Sequence, residues 1–238
     1  MRARHVQSHR FPLAGTKRLR KSSPPQSALR AIRHSRRSKK GQRNAKLPYS
    51  PPEDWHEPTD AATAGPNNGY RFVVREPGVG FRHVLTPDEI RQRLSELPPR
   101  FVAPLEVVQL SQMTRKKLYC PCYGMQWGTS LYLYPIEESL VENFNHPPKP
   151  QVYQECRLYG GRWREDARGR WRLEWTEQAI KDFFLHNILV HELGHLLDQR
   201  NSNYADRERY AEWFAIEYGY KRFRRMKRGR EIVAALSR

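Results

Sequence analysis

The sequence predicts an α+β fold in which helices pack on a small twisted sheet. Three observations predict it. A helix signal opens the ordered part of the chain, runs of β-branched and aromatic residues fill its middle, and two helical patterns close it. The span 69–222 has the length of one domain with its own core.

Taken in order, Thr86-Pro87-Asp88-Glu89 is a capping box with proline at the first helical position. It opens a helix that Pro98 and Pro99 end near residue 97. Residues 105–110 and 128–134 read as strands. So do 152–159 and 171–175, which flank a Gly-rich, charged turn as a hairpin. Residues 176–198 then read as one helix, with Thr176 as N-cap and Glu177 in the first turn. Leu185, Leu189, Val190, Leu193, Leu196 and Leu197 form its apolar arc. A second helix is expected over 206–220 after a short loop.

The first of these two helices carries His191-Glu192-Leu193-Gly194-His195. At about 100° per residue the two histidines lie about 40° apart, on one face, as two imidazoles must to reach one metal ion. Glu192 sits at the edge of that face. A carboxylate there can act as the base for a metal-bound water without ligating the metal itself.

An open catalytic site needs a third protein ligand, and the next helix offers Glu208 and Glu212 one turn apart. Ala211 and Ala215 share their face and let two helix backbones approach closely. With an antiparallel return, Glu208 arrives near His195 and Glu212 near His191. Glu208 as ligand with Glu212 hydrogen-bonded to the outer nitrogen of a ligand histidine satisfies this geometry, and so does the reverse. Asp198, one turn beyond His195, is placed to orient a neighbour or to pair with Arg200 or Arg207. Two histidines and a carboxylate suit Zn2+ best, although manganese or cobalt can use the same ligands.

These strings, His191-Glu-Leu-Gly-His195-Leu-Leu-Asp198 and Glu208-Arg-Tyr-Ala211-Glu212-Trp-Phe214-Ala215, resemble the paired motifs of gluzincin zinc metallopeptidases. They are similar to those in the catalytic domain of anthrax lethal factor and in the zincins that cleave phage repressors and stress regulators. The resemblance covers about 40 residues. It implies a zincin-like catalytic domain, selects Glu208 as third ligand and Glu212 as its neighbour outside the metal sphere, and implies hydrolysis of a protein or peptide substrate. It further implies a tyrosine near the third ligand that stabilises the oxyanion, a place Tyr204 fills unless it serves packing. In that family the substrate adds as a strand to the sheet edge above the zinc, and residues 130–135, ended by Pro135, are the expected edge. Only 12 residues separate His195 from Glu208, fewer than in the familiar peptidases.

Charge is unevenly spread. The chain carries a net charge of +18, yet residues 1–46 hold 15 of its 43 Lys and Arg and no acid. Residues 1–68 have few apolar side chains and are expected to be a disordered basic arm. Such an arm suits a polyanion such as nucleic acid, an organelle transit peptide, or a charge run that serves solubility alone, and its scarcity of aromatics argues against a base-stacking platform. A second basic run, from Lys221 to Arg230, makes 223–238 a basic tail. No apolar run has the length of a signal-peptide core or a membrane span, so a soluble, cytoplasmic protein is expected. Three cysteines, Cys120, Cys122 and Cys156, fit a reducing compartment as buried thiols. The function expected is a zinc-dependent metallopeptidase with Glu192 as general base. The alternative is a non-catalytic regulatory or nucleic-acid-associated protein that keeps a structural zinc.

Overall fold

The computed structural model describes residues 7–10, 56, 69–114, 117 and 122–236. The chain mixes helix and sheet. Ten strands are β1 (Gln7–Arg10), β2 (Arg71–Val74), β3 (Phe81–Arg82), β4 (Val107–Leu110), β5 (Cys122–Trp127), β6 (Ser130–Leu133), β7 (Ile136–Glu137), β8 (Val141–Phe144), β9 (Arg162–Glu165) and β10 (Trp171–Glu174). Five helical segments join them. They are α1 (Pro87–Ser95), α2 (Pro99–Val102), α3 (Pro150–Leu158), α4 (residues 177–197) and α5 (residues 204–236).

The main sheet has the order β1-β5-β6-β4-β2. Strands β2, β4 and β6 are parallel, and β5 and β1 add antiparallel on one side. Beneath it, Ile180, Phe183, Phe184, Ile188, Leu189, Val190 and Leu193 of α4 are all buried in the principal core, with Ile90 and Leu94 of α1. Cys122, Met125, Tyr132 and Tyr134 form a separate cluster, edged by Trp127. A three-stranded sheet, β8-β10-β9, and the short β3-β7 pair complete the strands.

The capping box is formed. Glu89 N donates to Thr86 Oγ1, and Thr86 N donates to Glu89 Oε2 at 2.8 Å. Thr176 caps α4 by accepting from Ala179 N. That helix is continuous but contains a π-helical turn, Phe184–Ile188. Helix α5 has another, Ala215–Tyr220.

Two expectations are corrected. Residues 152–158 belong to helix α3, with Tyr159 as its C-cap, and not to a strand: Pro150 occupies the first turn, and Val152, Cys156 and Tyr159 recur at helical spacing on its buried side. The hairpin instead pairs β9 with β10, its turn closed by Asp166 Oδ1, which accepts from the backbone of Arg168 and Arg170. Strand β6 is interior, paired on both sides, so residues 130–135 are not the sheet edge. Helix α5 is longer than the helix expected over 206–220 and runs on through the basic residues to Leu236.

Within the arm, Gln7–Arg10 forms a strand on β5. Ladder bonds need no apolar side chain, so composition does not forbid this pairing. The rest of the arm, His56 apart, lies outside the described residues, as does Cys120. Cys122 and Cys156 are buried, and Cys122 Sγ accepts from Lys117 Nζ at 2.8 Å. Among the described residues, no helix is long and apolar enough to cross a membrane.

Candidate metal centre

Helices α4 and α5 run antiparallel, and small residues set their separation. A β-carbon on Gly194 would stand 3.0 Å from Ala211 Cα and 3.1 Å from Phe214 Cβ. Ala211 and Ala215 are buried in the same seam. Farther along, Gly219 lies against the backbone of His186, where a β-carbon would come within 1.8 Å of the carbonyl oxygen. The two π-helical turns thus face each other. Their contact fixes how far α5 slides along α4.

At that register His191, His195 and Glu208 converge. The two Nε2 atoms are 3.1 Å apart. Glu208 Oε2 lies 3.5 Å from His191 Nε2, and Oε1 lies 3.5 Å from His195 Nε2. A tetrahedral ion with bonds of about 2.0–2.1 Å requires ligand atoms about 3.3 Å apart, so the three fit zinc. The donor set points the same way. Two imidazole nitrogens face each other in a buried site, and Glu208 Oε1 accepts no hydrogen bond. A cation would satisfy all three groups at once. Burial raises the Glu208 pKa, but the two imidazoles outweigh it and hold the carboxyl well below the usual range.

Glu192 is fully buried on α4 and faces β5. A β-carbon on Gly124 would meet its Cγ and Oε1, each at 2.8 Å, and Ile188 Cγ2 at the same distance. Glycine is the residue that lets β5 pass this close to the carboxylate. Strand β5 therefore forms the wall of the site.

The residues expected around the ligands are arranged differently. Glu212 accepts from Gln151 of α3 at 2.6 Å and takes no hydrogen bond from a ligand histidine. Burial, with the charges of Glu155 and Glu208, raises its pKa. His195 Nδ1 has no partner. The buried carboxylate coupled to His191 is Glu155, on α3, which also accepts from Asn187 Nδ2. Burial raises its pKa, and Asn187 and His191 offset part of the rise. The sequence reading missed Glu155 by assigning its segment to a strand. Proline at 150 and the 152, 156, 159 spacing were the signals for it.

Asp198 closes the loop between the two helices. Its Oδ1 accepts from Arg200 N and Asn201 N at 3.2 and 3.1 Å, and both its oxygens accept from Asn201 Nδ2. Arg207 ties the loop down by donating to the carbonyls of His195 and Asp198, each at 3.0 Å. This clamp is what allows a gap of 12 residues between ligands. Tyr204 begins α5, one turn before Glu208, and is 53% exposed.

The fold and site thus define a mixed helix-and-sheet protein with a candidate metal centre of two histidines and one glutamate. No protein-family model matches the chain, and no curated protein or solved structure gives a significant match.

Proposed function

We propose that the chain is a zinc-dependent metallopeptidase with a zincin-like catalytic domain. The observation that carries this reading is the buried carboxylate of Glu192 beside three donors, His191, His195 and Glu208, whose mutual distances suit one tetrahedral ion. A bound zinc ion supplies Lewis acidity, polarising a scissile carbonyl and acidifying water. Glu192 takes the proton of the attacking water and returns it to the leaving amine. Its burial keeps bulk water from levelling that basicity. Tyr204, exposed one turn before Glu208, is the tyrosine suited to donate to the oxyanion. Glu155, buried and coupled electrostatically to His191, is suited to orient that imidazole, as carboxylates do for metal-binding histidines.

The test is the zinc content of the full chain and its Glu208→Ala and Glu192→Gln variants, with hydrolysis of labelled unfolded casein. One zinc per chain in the parent and in Glu192→Gln, lost in Glu208→Ala, with hydrolysis in the parent alone, is the expected outcome. Absence of zinc binding by the parent overturns the reading.

A second reading rests on a different observation. Lys221, Arg224, Arg225 and Arg228 share one face of α5 as a basic strip. A regulatory or nucleic-acid-associated protein with a structural zinc would use such a surface, and binding to polyanions that falls steeply with salt while casein stays intact would favour it.

A further inference from the structure

Strand β5 has two sides. One pairs with β6, and the other, beside the metal helix, pairs with β1 from the basic arm. The pairing is antiparallel, with Gln7 opposite Gln126, Ser8 opposite Met125 and His9 opposite Gly124, and a bulge follows between His9 and Arg10. Gly124 is the residue whose backbone abuts Glu192. The arm's backbone therefore reaches the ladder position next to the general base. Strand β1 also approaches the helical segment Leu189–Leu197 to within 8 Å between Cα atoms.

This is where an extended peptide would have to lie to present a carbonyl between the metal ligands and Glu192. Main-chain ladder bonds on β5 supply the affinity for any such segment. Resting on the peptidase reading, we propose that Gln7–Arg10 is an intramolecular occupant of the substrate strand position, which keeps the metal centre latent while it is paired. Connectivity does not force the contact. Sixty residues separate Arg10 from Arg71 at the start of β2, and closing so long a loop costs about what a few ladder bonds return. The arm is thus displaceable. A substrate that replaces it is an extended segment able to form the same antiparallel ladder.

The occupant engages β5 through its backbone, so an extended peptide of the arm's own sequence binds β5 in trans once the arm is removed from it.

The test uses the full zinc-loaded chain and its Ser8→Pro/His9→Pro variant. Adjacent prolines remove consecutive backbone donors, so one that faces β5 is lost whatever the phase of the ladder. Three measurements are made: amide hydrogen exchange over residues 122–127, hydrolysis of labelled unfolded casein, and inhibition by a synthetic peptide of residues 1–20. Expected in the variant are exchange at least tenfold faster on β5, hydrolysis at least fivefold faster, unchanged zinc content, and inhibition by the peptide that the parent resists. Equal exchange in parent and variant overturns the arm's placement. Faster exchange with equal hydrolysis in both overturns latency and leaves the peptidase reading standing. Faster exchange with hydrolysis by neither overturns the peptidase reading and this inference with it.

Discussion

Gly124 of β5 and Glu192 of the metal helix touch across the wall of the site, so closely that a β-carbon on the glycine would stand 2.8 Å from the glutamate's Oε1. Substituting Gly124→Ala forces either the carboxylate or the strand to move. Glu192 is not among the three proposed ligands, so on the metal-site reading zinc stoichiometry is expected to stay at one. Overpacking of this kind costs about 1–3 kcal/mol. Thermal unfolding with zinc analysis checks the first two, and casein hydrolysis reduced at least tenfold is the accompanying loss.

Gly219→Ala should be more damaging. Its β-carbon would meet the His186 carbonyl oxygen at 1.8 Å, and a backbone atom cannot rotate away. Helix α5 would have to lift from α4, which carries Glu208 out of reach of the histidines. A loss of stability of roughly 3 kcal/mol or more is expected. Denaturant unfolding measures it, and a parallel zinc titration should show weakened binding.

Asp198→Ala removes the acceptor that closes the loop between the helices. Hydrogen bonds to a charged acceptor contribute about 1.5–3 kcal/mol, and a destabilisation in that range is expected. Asp198→Asn keeps an oxygen in place and should recover more than half of the loss. Chemical denaturation of the three proteins side by side tests the order.

Glu142 gives the fold a pH dependence. Burial lifts its pKa to about 7, although Tyr123 and Trp175 donate to it; Glu137 adds to the rise. Because the folded value exceeds the ordinary one of 4.5, the native state holds the proton more tightly than the unfolded chain. The stabilisation is complete below pH about 4.5 and is lost as pH rises through 7, amounting to about 3 kcal/mol. Glu142→Gln should remove this component. Urea unfolding of both proteins between pH 5 and 8 checks it by the difference in slope.

What could be read from the residues alone was whatever depends on neighbours in sequence. The Thr86–Glu89 capping box and the Thr176 cap are local, and each forms as expected. One helical period and one short loop brought His191, His195 and a carboxylate of the next helix together, but that geometry left Glu208 and Glu212 both open; the resemblance selected Glu208, which is the one found with the histidines. Strand order could not be read in this way. Nothing within residues 130–135 tells that β5 and β4 lie on either side of β6. Residues 152–159 misled because Val152, Tyr153 and Tyr159 carry strand propensity, while Pro150 and the spacing of their buried members decide for helix. Glu155 was lost with them. The close contacts at Gly124 and Gly219 depend on distant segments, so only a structure locates them.

The facing π-helical turns, Phe184–Ile188 and Ala215–Tyr220, also govern which changes in length the chain tolerates. Each turn accommodates an extra residue without breaking its helix. Deleting one residue from either would close it to an α-helical turn and leave the helix beyond it nearly in phase, whereas a deletion in the α-helical stretches would rotate everything beyond it by about 100°. A loss at 189–190 would swing the histidines off the seam, and a loss at 209–214 would turn the glycine that holds α5 in register away from α4. Single-residue changes in length should therefore be tolerated best within the two π-helical turns and least in the α-helical stretches between them and the candidate metal centre.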